Sequence, residues 1–113
     1  MSDDDMDELM AALRAQFIAA LPDHIAAIGQ AWRALSGRDI AAWRTAADEL
    51  LRRAHRLAGN GAMVGFAAIS DAASPVEETL RAAPASGEAP PALTALVARL
   101  LEACDAASKT DGA

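Results

Sequence analysis

The sequence predicts an all-α fold: an antiparallel up-and-down four-helix bundle with an additional N-terminal helix. Hydrophobic residues make up 53% of the 113 positions, yet alanine is abundant among them and aromatics reach only 4%. That balance favours closely packed helices over a sheet, which selects β-branched and aromatic side chains. Apolar residues also recur at three- and four-residue spacing through nearly every segment, and the breaks between segments are mostly short, so successive helices run antiparallel. The length fits one domain, residues 1–113, with a modest core and a polar tail from about residue 107.

Ser2 can cap the first helix, with Asp5 three residues on, and the early carboxylates suit the positive end of a helix dipole. Met6, Leu9, Leu13, Phe17 and Leu21 follow at helical spacing. Pro22 fits a kink or the first position of a new helix, so this stretch reads as two consecutive helices or one bent one. From Pro22 to Leu35 the apolar face is wide: Leu21, Ile28 and Leu35 mark one line, and Ile18, Ile25 and Trp32 a second beside it. Such a face fits either burial on two sides or an exposed strip used for docking. Ser36 to Asp39 forms a turn, with Gly37 suited to a helix C′ position and Asp39 to the next N-cap.

Ile40, Trp43, Ala47, Leu50, Leu51, Ala54 and Leu57 then fall in one broad sector that faces a core. Gly59 to Gly61 weaken this helix near its end. Phe66, Ile69, Ala73, Val76 and Leu80 define a further helix to about Ala83, and Pro75 predicts a kink or split near Ser74. Pro84 to Pro91 has loop composition and a tip expected to be mobile. Leu93, Leu96, Leu100 and Cys104 mark the last helix, whose end, SKTDGA, is expected to fray.

Composition removes several classes of function. The net charge of −6 and a pI near 4.7 argue against general affinity for nucleic acid or anionic membranes. The N-terminus is acidic and no apolar run is long enough for a signal peptide or a membrane span, so a cytoplasmic protein is expected. A lone Cys104 on an apolar helix face permits no intrachain disulfide and reads as a small buried hydrophobe. No ligand set at metal spacing surrounds His24, which is taken as incidental, and no metal or cofactor site is expected.

His55 carries the chemistry. An imidazole is a capable nucleophile near neutral pH. On a helical wheel it sits roughly 90° from the centre of the apolar sector, at its edge. Ala58, Gly59, Gly61 and Ala62 follow it and leave room for another protein to approach. Arg52, Arg53 and Arg56 lie on the polar side, where they either favour a bound phosphoryl group or simply form a solvated face. Asp48 is a weak candidate for holding the second ring nitrogen.

A long helix, His55, Leu57, Gly59, a run of small residues ending in Gly65-Phe66 and a further amphipathic helix together resemble the histidine-containing phosphotransfer (Hpt) domains of bacterial phosphorelays. The upstream stretch LRAQFIAALPDHIAAIGQAW looks like the usual opening of that family. The resemblance implies a four-helix bundle whose exposed histidine, here His55, relays a phosphoryl group between aspartates of receiver domains. Those domains belong to a hybrid histidine kinase or a response regulator. It implies no autonomous kinase activity, no cofactor beyond magnesium on the receiver, and a monomer. Family members commonly carry a lysine three residues after the histidine; here that position is Ala58, which leaves Arg52 as the substitute donor, with Arg56 nearby. Ile25, Ile28, Trp32 and Leu51 are candidates for an apolar docking patch beside His55. A non-transferring adaptor that sequesters receivers is the alternative. An enzyme using His55 as general base lacks companion groups, and in a plain structural bundle His55 would only complement a helix C-terminus.

Overall fold

The computed structural model describes residues 2–37, 39–83 and 89–110, which form helices α1 (Asp3–Leu35), α2 (Ile40–Met63), α3 (Ala67–Ala82) and α4 (Leu93–Thr110). No strand occurs among the described residues. The caps act where the sequence places them. Ser2 Oγ accepts from the Asp5 N–H at 3.3 Å, and Asp39 Oδ1 accepts from Ala41 and Ala42 at 3.0 and 3.3 Å, so orphan donors at both helix starts find acceptors.

Each helix packs on two others: α2 lies against α1 and α3, and α4 against α3 and α1. Cross-helix contacts pair Phe17 with Phe66, Asp23 with Arg53 and Ala58 with Ser70, so α1, α2 and α3 alternate in direction. Leu21 and Ile28 from α1, Leu50 and Leu57 from α2, Ile69 and Val76 from α3, and Leu93, Val97, Leu100 and Cys104 from α4 are fully buried. The line through Leu21, Ile28 and Leu35 therefore points into the core, while Ile18, Ile25 and Trp32 are half-buried. No described helix is long and apolar enough to cross a membrane.

Several expectations are corrected. The separate N-terminal helix does not exist: residues 3 to 35 form one helix with Pro22 inside it. Pro22 is exposed, so its missing donor falls on the wet side of the helix, while buried Leu21 and His24 on either side hold the chain to the bundle. Likewise α3 runs unbroken through Pro75, carried by buried Ala72, Ala73 and Val76. Ile40 is exposed at the first position of α2, before the helix reaches the core. Helix α4 continues through the supposed tail to Thr110, with Ala107 buried. The expected mobile tip, residues 84–88, lies outside the described residues, as do residues 111–113.

One polar cluster is built into the α1–α2 seam. Arg53 donates to Glu49 at 2.8 Å, to Asp23 at 3.3 Å and to Nδ1 of buried His24 at 3.1 Å. An Nδ1 that accepts leaves the proton of a neutral ring on Nε2. Burial first, then the Arg53 and Arg56 charges, push His24 below its usual 6.5. Folded His24 thus binds its proton more weakly than the unfolded chain does. The stability this gives is complete above 6.5 and is lost as pH falls from there through the lower folded value. The urea midpoint is expected to drop as pH is lowered from about 7 to about 5, and His24→Asn, which keeps an acceptor for Arg53, to flatten that part of the curve. A slope unchanged by the substitution would place its origin elsewhere.

Candidate functional site

The site is positioned by the turn between α2 and α3. Gly65 takes a left-handed conformation, φ 89°, which a Cβ would strain. Around it the Phe66 N–H donates to the Gly61 carbonyl at 2.8 Å and the Gly65 N–H to Ala62 at 3.4 Å, the paired bonds of a Schellman ending. Gly61 then lets the two backbones close: a Cβ there would meet the Phe66 carbonyl oxygen at 3.3 Å and the Ser70 nitrogen at 3.4 Å. This close packing holds the Gly59–Gly61 stretch helical despite its low propensity. Arg14 of α1 secures the turn from outside, donating to the Val64 carbonyl at 3.1 Å with its guanidinium 6.0 Å from the Phe66 ring centroid. Phe66 itself stacks on Phe17 at 5.4 Å.

From this turn the two helices run back side by side. Ser70 Oγ donates to the Ala58 carbonyl at 2.8 Å. One turn back along α2 and two turns on along α3, His55 Nδ1 meets Glu77 Oε2 at 2.6 Å. The same oxygen accepts from Arg81 at 2.7 Å. His55 has 69% of its side chain exposed, whereas Glu77 keeps only 16%, so a sheltered carboxylate anchors an exposed ring. Burial alone would push the Glu77 carboxyl up, but the Arg81 and His55 hydrogen bonds outweigh it and hold it below the usual carboxylate value. An ionised carboxylate can only accept, so Nδ1 donates and the lone pair of the neutral ring is on Nε2. Among the described residues no protein group bonds Nε2.

Leu51, Arg52, His55, Arg56, Gly59, Asn60 and Arg81 line one shallow depression. Arg52 is paired to Glu49 at 2.9 Å and Arg81 to Glu77, while Arg56 makes no ion pair among the described residues. A Cβ on Gly59 would touch nothing within 4 Å. Its small size does not serve the bundle, unlike that of Gly61. Ala58 is half-buried against the core and Ala62 is exposed.

Not every candidate gathers here. Ile28 is fully buried, and Ile25 lines a groove between α1 and α4 with Leu101 and Asp105. Trp32, two turns further on, is half-buried against the core. Only Leu51 of the proposed docking patch borders the His55 depression. Asp48 bonds neither ring nitrogen; it lines a separate recess with Trp43 and Leu80. The ring's partner is instead Glu77, 22 residues away in sequence and on another helix, which the pattern around His55 does not reveal, nor does it reveal Arg81. Counting both helices outward from Gly65 is the signal that finds Glu77. Cys104 is buried, which pushes its thiol up to about 11 and leaves it unreactive. Among the described residues no cluster of three or more His, Cys, Asp or Glu could hold a metal ion.

The model of the Hpt domain family matches residues 12–108, and the chain belongs to that family. Membership implies histidine phosphotransfer in a phosphorelay with receiver domains as partners, in a helical bundle that is an intermediate and not an autonomous kinase. Neither the curated proteins nor the solved structures contain a match.

The pull of Arg81 on Glu77 is directly measurable. In Arg81→Met the Glu77 carboxyl should titrate at higher pH than in the parent, as followed by carbon-detected NMR of the side-chain carboxyl. An unmoved midpoint would show that His55 alone holds it down.

Proposed function

We propose that the chain relays a phosphoryl group between receiver-domain aspartates through Nε2 of His55. The observation that carries this reading is the exposed ring whose Nδ1 is held by sheltered Glu77, leaving Nε2 unbonded by protein. In the transfer, the Nε2 lone pair attacks the phosphorus of an aspartyl phosphate. An N–P bond forms as the P–O bond to the aspartate breaks, and the freed carboxylate departs with that electron pair. With its proton still on Nδ1, the phosphorylated ring becomes cationic, and the Glu77 carboxylate opposite stabilises that charge. The return step reverses these events on a second receiver. The bundle contributes position and access: a rigid helix presents the nucleophile while the receiver brings the phosphate.

Arg52, Arg56 and Arg81 line the same depression and provide positive potential for the phosphoryl oxygens. Gly59 leaves the surface open for the receiver to approach. No cofactor on this chain is needed for these steps; the magnesium that supports such transfers would be the receiver's. The adaptor reading draws mainly on Ala58. Arg81 weakens it, because a cation reaches Glu77 from the neighbouring helix without a lysine at position 58.

His55→Gln is expected to stay folded and to accept no acid-labile label from a phosphorylated receiver domain that labels the parent chain; undiminished labelling would refute the assignment. Ala58→Lys is expected to lengthen the half-life of phospho-His55 several-fold, measured as loss of label after removal of the receiver. An unchanged half-life would mean that charge at this position is not what sets the lifetime.

A further inference from the structure

The first two turns of α1 stand away from the bundle. Residues 2–9 are all exposed, and the first cross-helix hydrogen bond of α1 is made by Arg14. The family match begins at residue 12, so this projection lies outside the matched residues. At 33 residues α1 is about 50 Å long, which accounts for the 53 Å long dimension of the molecule.

The projection has two faces. Met6, Leu9 and Met10 share the sector of Leu13 to within roughly 60° on the wheel, and Met6 and Leu9 are 47% and 45% exposed. Asp3, Asp4, Asp5, Asp7 and Glu8 crowd the rest, with no basic residue before Arg14. The Ser2 cap and the acids of the first turn complement the helix dipole and help keep this short stretch helical, although an unsupported helix of this length is marginal in water. Capping does not explain Asp7 and Glu8, nor the apolar stripe.

The stripe leads somewhere. Leu13 lines a recess with exposed Met63, Arg56 and Asn60, and Arg56 and Asn60 also border the His55 depression. A continuous surface therefore runs from Met6 past Leu13 and Met63 to His55. Five carboxylates on each arm repel a second copy, and they attract a partner that carries Lys or Arg around an apolar strip.

We infer that residues 3–10 form a docking arm for the receiver domain that engages His55, gripping a basic, apolar-centred surface beside the receiver's phosphorylated aspartate. This rests on the proposed relay function. The arm adds binding and selectivity and takes no part in the chemistry.

The test uses the full chain and a panel of purified receiver domains from the same organism, phosphorylated with acetyl phosphate. Met6→Ser, Leu9→Ser and Met10→Ser combined should raise the half-saturating concentration of the cognate receiver roughly tenfold while leaving the transfer rate at saturation and the thermal midpoint unchanged. Asp4→Asn, Asp5→Asn, Asp7→Asn and Glu8→Gln combined should slow association at low salt and remove most of its salt dependence. Parental half-saturation in the apolar variant, or parental salt dependence in the charge variant, would overturn the arm and leave the relay standing. A lowered thermal midpoint would mean that the stripe packs on its own bundle, and a dimer dissolved by the apolar variant would mean that it binds a second copy; either overturns the arm. A parent chain that takes label from no receiver would overturn the relay, and the arm's role with it.

Discussion

The close approach of α2 and α3 at their shared turn is the constraint on which the rest depends. It needs a residue that tolerates positive φ at Gly65 and one without a side chain at Gly61, where a Cβ would press on the Phe66 carbonyl. Once those two positions are fixed, the helices can pair in one register, and that register sets Glu77 against His55. A slip of one residue on either helix would rotate the partner by about 100° and separate them. Arg14 and Phe17 bring α1 into the same arrangement by bonding and stacking on the turn, so the third helix stabilises the hairpin that orients the histidine.

The two histidines of the chain show how neighbours decide what a ring can do. His24 is buried, its Nδ1 accepts from Arg53, and burial together with the Arg53 and Arg56 charges outweighs Asp23 and Glu49 and favours the neutral form. His55 is exposed and its Nδ1 faces a carboxylate. The tautomers are opposite: the proton of neutral His24 sits on Nε2 and that of neutral His55 on Nδ1. Only the second leaves Nε2 with a lone pair directed away from its anchor. The arginines divide in the same way. Arg53 is consumed by the α1–α2 seam, Arg52 and Arg81 each neutralise one carboxylate, and Arg56 among the site cations carries no ion pair in the described structure.

Periodicity made most of the fold legible, because the buried stripe of each helix is local in sequence. Trp43, Leu50, Ala54 and Leu57 read as one sector and are one buried face; the caps at Ser2 and Asp39 were equally readable. The prolines do not break their helices. Their cost is local, and the packing of Leu21 and His24 beside Pro22, or Ala73 and Val76 beside Pro75, comes from other helices that a wheel does not contain. The same limit hid Glu77 and Arg81 and misplaced Ile28: wheel position gives the edge on which His55 sits, but not which neighbouring helix faces that edge. Asp48 shares α2 with His55 and so is visible to the wheel, whereas the ring's partner, Glu77, comes from across the seam.

Ala58 and Arg81 are best understood together. Where the family resemblance leads one to look for a cation on the histidine's own helix, this chain has a half-buried alanine whose carbonyl accepts from Ser70. The cation instead arrives from α3, through Arg81, and meets the carboxylate that holds the ring. Held by Glu77, Arg81 both keeps that carboxylate ionised and lines the depression beside His55 that the proposed relay would use for the phosphoryl group. The charge is supplied across the helix pair instead of along one helix, so it depends on the register that Gly61 and Gly65 impose. A loosened turn would then weaken the anchoring of the ring and the positive field together.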